Sequence, residues 1–175
     1  MFSLMRPVGG SASDSAGPFG VGADYRRPFE KESVAHRDPF LVDPAMVDRA
    51  SRAHAATQNA LADRVTGLGL APLSPGSEDP GYDLAWRTGN DWWVAEVKRL
   101  TKSNEEKQLR LGLGQVLRYQ DALTRRLARP VRAVLMVERE PADGTWLGLC
   151  EALGVFLLWP DSLGRLHGKS SRDTS

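Results

Sequence analysis

The sequence predicts an α/β domain in which a central mixed β-sheet is flanked by helices. The apolar patterns run in the order helix, strand, strand, helix, strand, helix, strand, and the later elements alternate as parallel-sheet units do. A Gly89-Asn90 pair between two segments rich in aromatic and β-branched residues indicates an antiparallel hairpin. With 175 residues, of which 41% are hydrophobic and 26% charged, the chain has room for one globular domain of ordinary size.

Composition divides the chain into three parts. Residues 1–42 are rich in Gly, Ser, Pro and Asp and lack apolar periodicity, so we predict a disordered arm or linker. Residues 43–162 hold all the periodic segments and form the predicted domain. Residues 163–175 are polar and are expected to be a flexible tail.

The first predicted helix covers residues 45–66. Asp43-Pro44 supplies an N-cap followed by proline at the first helical position, and Gly67 and Gly69 end the helix. Its apolar positions recur at spacings of three and four, which gives one packing face. A polar loop over residues 72–81 then leads into the two strands of the hairpin, residues 82–87 and 91–99.

The second predicted helix covers residues 104–128 and ends at Arg129-Pro130. Its apolar positions are Leu109, Leu113, Val116, Leu117, Leu123 and Leu127, which follow the helical period. Residues 131–137 are almost wholly apolar, as strands covered on both faces are. A short helix over residues 146–153, capped by Gly154, and a strand over residues 155–159 complete the domain.

Charge is distributed unevenly although the net value is +1. Residues 38–96 carry nine acids and four bases, and residues 97–132 carry ten bases and three acids. The basic stretch suits nucleic-acid phosphates, but a solvated helix face produces similar counts, so both readings stay open.

Several classes of protein are excluded by what the sequence lacks. No apolar run approaches the ~20 residues of a membrane span, and the start has no signal-peptide pattern, so the expected location is the cytoplasm, with no membrane partner. The single cysteine, Cys150, lies among apolar residues and is expected to be a buried, inert thiol. No zinc-ligand spacing and no P-loop are present.

Three residues of the hairpin carry candidate chemistry. Asp83 lies near the start of the first strand, and Glu96 and Lys98 lie near the end of the second. Strand alternation puts Glu96 and Lys98 on one face, where two carboxylates on adjacent strands suit Mg²⁺. Lys98 would then orient the attacking water or neutralise charge on a phosphate. An ion pair on a solvated sheet face would use the same residues.

These residues resemble the signature of the PD-(D/E)xK, or restriction-endonuclease-like, superfamily. The signature reads Asp83, twelve residues, then Glu96-Val97-Lys98. A second acid-x-Lys, Glu105-Glu106-Lys107, opens a helix with no strand before it and is set aside. Gln115 and Tyr119 on the second helix are similar to the QxxxY motif of the RecB-like branch, and their i, i+4 spacing aligns both side chains.

The resemblance implies a restriction-endonuclease-like core and a Mg²⁺-dependent endonuclease, with Mn²⁺ able to substitute. It implies that Asp83 and Glu96 bind the metal, that Lys98 assists catalysis and that Gln115 and Tyr119 position the substrate. Two departures are visible. Gly81-Tyr82 precedes Asp83 where the family has proline, and the glutamate that the family's first helix often offers is replaced by Gln58, an auxiliary candidate, or Asp63. His54, on the apolar face of that helix, is expected to pack or cap.

The expected function is therefore hydrolysis of phosphodiester bonds in nucleic acid, with DNA as the expected partner, in restriction of foreign or modified DNA or in repair. The alternatives are a non-catalytic domain of the same fold that binds nucleic acid or protein, and an assembly domain whose arm recruits a partner. A homodimer or a partner chain would supply specificity, since no base-reading module is evident. Substrate sequence, strand preference and pathway are not encoded in these patterns.

Overall fold

The structure, a computed structural model, describes residues 20–29 and 44–167, except the side chains of residues 44–48. The elements in chain order are strand β1 (Ala23–Asp24), helix α1 (Pro44–Gly67), strands β2 (Leu73–Ser74), β3 (Leu84–Thr88) and β4 (Asp91–Lys98), helix α2 (Glu105–Leu127), strand β5 (Val131–Val137), helix α3 (Thr145–Ala152), strand β6 (Val155–Leu158) and a 3₁₀ helix (Pro160–Arg165).

The six strands form one mixed sheet in the order β1-β2-β3-β4-β5-β6. The first four are antiparallel to their neighbours, whereas β4, β5 and β6 run parallel to one another. Helix α2 connects β4 to β5 and α3 connects β5 to β6, as parallel neighbours require. The predicted fold class, an α/β domain with a mixed sheet flanked by helices, is confirmed.

The helices cover both faces of the sheet. Helix α1 packs on one face with Leu84, Trp86 and Val97. On the other face, α2 and α3 pack against a second core that includes Ala85 and Val94. Strand β5 contributes side chains to both cores, and this double coverage explains why its sequence is apolar throughout.

Residues 20–29 correct the prediction of a disordered arm. Gly22 N donates to Asp79 Oδ2 at 2.7 Å, Arg26 N donates to Ser74 Oγ at 2.9 Å, and β1 pairs with β2. The order of this segment comes from partners elsewhere in the chain, and strands of two residues are too short to show an alternating pattern. Residues 1–19 and 30–42 of the predicted arm lie outside the described residues.

The predicted flexible tail is also wrong in its first part. The 3₁₀ helix continues to Arg165, and Leu166 is buried at 1% exposure against the α1 face of the sheet. Arg64 Nη2 holds this turn by donating to the carbonyl of Leu166 at 2.8 Å. Residues 168–175 lie outside the described part of the chain. None of the described helices combines the length and apolar character that crossing a membrane needs.

Candidate active site

The hairpin holds Asp83 directly against β4. Asp83 precedes β3, and the pairing of Leu84 with Ala95 places Asp83 opposite Glu96. Its backbone N–H donates to the carbonyl of Ala95 at 3.1 Å, and its carboxylate Oδ2 accepts from Val97 N at 2.7 Å. The β4 backbone therefore fixes both the position and the rotamer of Asp83.

Glu96 and Lys98 lie on the α2 face of β4, where the alternation predicts them. Glu96 is 5% exposed, and its Oε1 forms an ion pair with Lys98 Nζ. The intervening Val97 lies in the core on the α1 face, with Trp93 and Ala95. A solvated sheet face is thus wrong for this pair, because α2 covers both side chains.

Gly112 allows α2 to approach Lys98 closely. A Cβ at Gly112 would lie 2.8 Å from Lys98 Cγ and 2.6 Å from Leu135 Cδ1, which is closer than carbon atoms pack. Only glycine permits this separation between helix and sheet. The same helix face carries Gln115 and Tyr119 one and two turns further on.

Gln115 and Tyr119 lie beside the carboxylates. The Oε1 atom of Gln115 is buried and has no hydrogen-bond partner among the described residues. Burial raises the pKa of Tyr119, and the negative charges of Glu96 and Asp83 raise it further. The structure thus brings the five predicted site residues to one place, between the carboxyl end of β4 and the middle of α2.

Helix α1 adds two polar groups from the other side. Gln58 Nε2 donates to the backbone carbonyl of Asp83 at 2.8 Å, so its amide supports the site through the main chain. His54 Nε2 lies 3.3 Å from Asp83 Oδ1. Asp63, the other acid considered on this helix, instead pairs with Arg27 at 2.7 Å.

His54 is the residue whose role the sequence analysis missed. The hydrogen bond to Asp83 raises the pKa of His54, and burial opposes that rise. One signal was present, because His54 and Gln58 are four residues apart and must share a helix face. The sequence could not predict that this face contacts Asp83, because the contact depends on how α1 packs against the hairpin.

Burial and neighbouring charge determine the electrostatics of the Glu96 carboxylate. Burial raises the pKa of Glu96, and the charge of Asp83 raises it further, while Lys98 and His54 act in the opposite direction. The repulsion between the Asp83 charge and the Glu96 carboxylate disfavours the ionised form of Glu96. A cation between them would relieve that repulsion.

The donor set fits a hard divalent cation. Asp83 and Glu96 present oxygen ligands, and Mg²⁺ is commonly held by one or two carboxylates with water and substrate phosphate completing its shell. Within residues 20–29 and 44–167, no three His, Cys, Asp or Glu side chains form a metal-binding group by themselves. The residues therefore fit a cation that shares its ligands with a substrate, and they do not form an all-protein cage.

The second acid-x-Lys has a structural role. Glu105 Oε1 accepts from Ala142 N at 2.8 Å, and Glu105 Oε2 pairs with Arg139 at 2.6 Å. These contacts join the start of α2 to the loop between β5 and α3. Glu105 therefore has protein partners of its own, away from Asp83 and Glu96.

Comparison with known proteins found little similarity. No protein-family profile matches the chain, and no curated protein matches it significantly. Among solved structures, Can2 from Sulfobacillus thermosulfidooxidans, in complex with cyclic tetra-adenylate, superposes with a TM-score of 0.43 and 13% sequence identity. The superposition covers 73% of this chain and 40% of that chain. This degree of likeness is too low to transfer an activity.

Proposed function

We propose that the chain is a metal-dependent nuclease of the PD-(D/E)xK type that hydrolyses phosphodiester bonds in nucleic acid, with DNA as its substrate. The proposal is carried by one observation, the convergence of Asp83, Glu96 and Lys98 with Gln115 and Tyr119 at the carboxyl end of β4. Two carboxylates can hold a cation, a lysine can place positive charge on the phosphate, and neutral hydrogen-bonding groups can bond its oxygens, so together these components suit phosphodiester hydrolysis.

Each group has a role that follows from its surroundings. Asp83 and Glu96 would hold Mg²⁺, with Mn²⁺ able to substitute. When bound, the cation would polarise the phosphate and lower the pKa of the attacking water. Lys98, whose ammonium lies against Glu96, would place positive charge where the phosphate gains negative charge.

The groups on α2 would position the substrate. The buried Oε1 of Gln115 has no hydrogen-bond partner within the described residues, and the amide could bond a water or a substrate group without breaking an existing bond of that oxygen. The ordinary pKa of a tyrosine lies well above neutral pH and that of Tyr119 is raised further, so its hydroxyl is protonated and can donate to a phosphate oxygen. Val97 N and His54 would hold Asp83 in its orientation.

The first test is cleavage by the purified chain. We expect labelled single- and double-stranded DNA to be cut with Mg²⁺ or Mn²⁺ and to stay intact with a chelator. RNA in the same assay tests the choice of substrate. Binding without cleavage under every metal condition would favour the alternative, a non-catalytic domain of the same fold.

The second test removes single groups. Lys98→Ala and Asp83→Asn should each lower the cleavage rate by about 10²-fold or more, because each removes a group that acts on the transition state. Lys102→Ala, at an exposed lysine that lies outside the signature and before α2, is the control and should retain most of the cleavage rate. Circular dichroism and thermal melts check that the variants fold. Parent-like cleavage by a folded Lys98→Ala variant would reject the assignment.

A further inference from the structure

We infer that an exposed stripe of α2 beside the site binds the phosphate backbone of a single nucleic-acid strand. The stripe consists of Lys107, Leu111, Gly114, Arg118 and Arg125, all of them exposed. The inference rests on the proposed function, because it names the strand that would deliver a scissile phosphate to Asp83 and Glu96. It adds the surface along which that strand lies.

Helical geometry places the stripe next to the site. Residues three and four apart are neighbours on a helix, so Leu111 and Arg118 flank Gln115 on its outer side. The positions 107, 111, 114, 118 and 125 are separated by four, three, four and seven residues and share one face. At about 1.5 Å per residue, the stripe is about 27 Å long, which is long enough to contact several consecutive nucleotides.

The stripe carries a net positive charge. Lys107 has no acidic partner among the residues that the structure describes. Arg118 and Arg125 share one carboxylate, Asp121, each at 3.0 Å. Exposed pairs of this kind contribute little energy, so a phosphate can replace Asp121 as partner of either guanidinium.

The shape of the stripe favours a single strand over a duplex. Its cations, Lys107, Arg118 and Arg125, form one line along one helix and can follow one phosphate backbone. A duplex, in contrast, presents two backbones. Leu111 is 48% exposed between two charged turns, where it can contact an unpaired base or a sugar. A Cβ at Gly114 would meet no atom within 4 Å, so the stripe is open at its centre.

The side of α2 that faces α3 supplies a matched control. Arg110 lies there, paired with Glu106, and lines a groove of about 620 Å³ between α2 and α3 together with Leu113 and Trp146. Arg110 is as exposed as the arginines of the stripe but faces away from Gln115 and Tyr119. Arg110→Gln and Arg118→Gln each remove one exposed, paired guanidinium, so comparing these two single variants tests position on α2 at equal charge.

The test is binding of the full chain to a fluorescent single-stranded oligonucleotide in chelator, followed by anisotropy over a range of salt. For the double variant Lys107→Gln/Arg118→Gln, the slope of log affinity against log salt should become less negative by about 1.4. Each phosphate contact with a single strand contributes about 0.7 to the size of this slope. At about 0.1 M salt this corresponds to about 25-fold weaker binding. Asp121→Asn should strengthen binding, since it removes the competing carboxylate.

The outcomes separate this inference from the proposed function. Parent-like binding by the double variant, or equal weakening by the single variants Arg110→Gln and Arg118→Gln, would overturn the stripe even if the parent cleaves nucleic acid. Tighter binding of a duplex than of its single strand would overturn it as well. Loss of binding that is confined to the double variant and Arg118→Gln supports the stripe. This holds even if the parent binds without cleaving, in which case only the nuclease proposal fails.

Discussion

At the scale of single residues, the orientation of Asp83 is the most constrained feature of the site. One carboxylate oxygen accepts from Val97 N at 2.7 Å, and the other faces His54 Nε2 at 3.3 Å. A carboxylate held on both sides keeps its rotamer when a cation approaches, so less ordering is needed on binding. Glu96 has a different environment. Lys98 stabilises its negative charge, whereas burial disfavours that charge.

We predict that His54→Ala weakens binding of Mn²⁺ to the protein. The substitution removes a group that orients a proposed ligand, and such supporting groups are typically worth ten- to a hundred-fold in metal affinity. Titration of the protein with Mn²⁺, followed by calorimetry or by the electron paramagnetic resonance of free Mn²⁺, measures this without relying on cleavage. His167→Ala, an exposed histidine of the described chain, is the control. Unchanged Mn²⁺ affinity in His54→Ala would show that Asp83 needs no support from His54.

At the scale of elements, the separation between α2 and the sheet decides where Lys98 lies. Gly112 and Gly114 are both in α2, two residues apart, but only the first faces β4 and β5. The pair therefore distinguishes a glycine that packing requires from one that the helix merely tolerates. Gly112 is buried, whereas Gly114 is exposed.

We predict opposite effects of alanine at these two positions. Gly112→Ala should destabilise the protein, because overpacking costs about 1–3 kcal/mol and exceeds the gain in helix propensity. It should also lower cleavage by displacing Lys98, whose Cγ would lie 2.8 Å from the new Cβ. Gly114→Ala should stabilise the protein by about 0.5–1 kcal/mol, since its Cβ enters open space. Urea unfolding measures both, and equal effects of the two substitutions would contradict the close approach of α2.

At the scale of the whole molecule, Asp79 joins parts of the chain that are distant in sequence. Its Oδ2 accepts from Gly22 N at 2.7 Å, from Gly76 N at 2.9 Å and from the Tyr82 hydroxyl at 2.8 Å. Its Oδ1 pairs with Arg126 at 2.6 Å, at the end of α2. The Asp79 side chain is 1% exposed, so it connects the segment before β1, the loop before β3 and α2 from inside the protein.

We predict that Asp79→Asn lowers the free energy of unfolding at neutral pH by about 2–4 kcal/mol, because it leaves buried donors without their charged acceptor. Burial acts to raise the pKa of Asp79, but bonds from Gly76, Tyr82 and Gly22 and the charge of Arg126 outweigh it and lower the pKa below 3.8. A carboxyl whose pKa falls on folding stabilises the protein above its unfolded pKa and loses that effect as pH falls through its folded pKa. The difference between parent and variant should therefore shrink below about pH 3.8.

Thermal and urea unfolding at neutral and acidic pH measure this difference. Asp161→Asn makes the same chemical change at an exposed aspartate and should leave stability close to that of the parent. A variant that loses equal stability at both pH values would show that Asp79 acts through packing rather than through its charge.

The parts of the fold that were predictable are those encoded in short stretches of chain. The hairpin follows from Gly89-Asn90, where Gly89 adopts a φ of +55°, and the shared face of Glu96 and Lys98 follows from strand alternation. The helical spacing likewise predicts that Gln115 and Tyr119 share one face of α2. Strands β1 and β2 escaped prediction because two residues cannot display a period, and their order comes from Asp79 and Ser74.

Local pattern in the chain was sufficient for the order of the main elements and for the face on which each side chain of the hairpin lies, because both are set by the geometry of neighbouring residues. Packing alone decided that His54 meets Asp83, that α2 covers Lys98 and that Leu166 closes the α1 face. These contacts join residues far apart in sequence, and their distances depend on how closely whole helices approach the sheet. No pattern within a single segment records that approach.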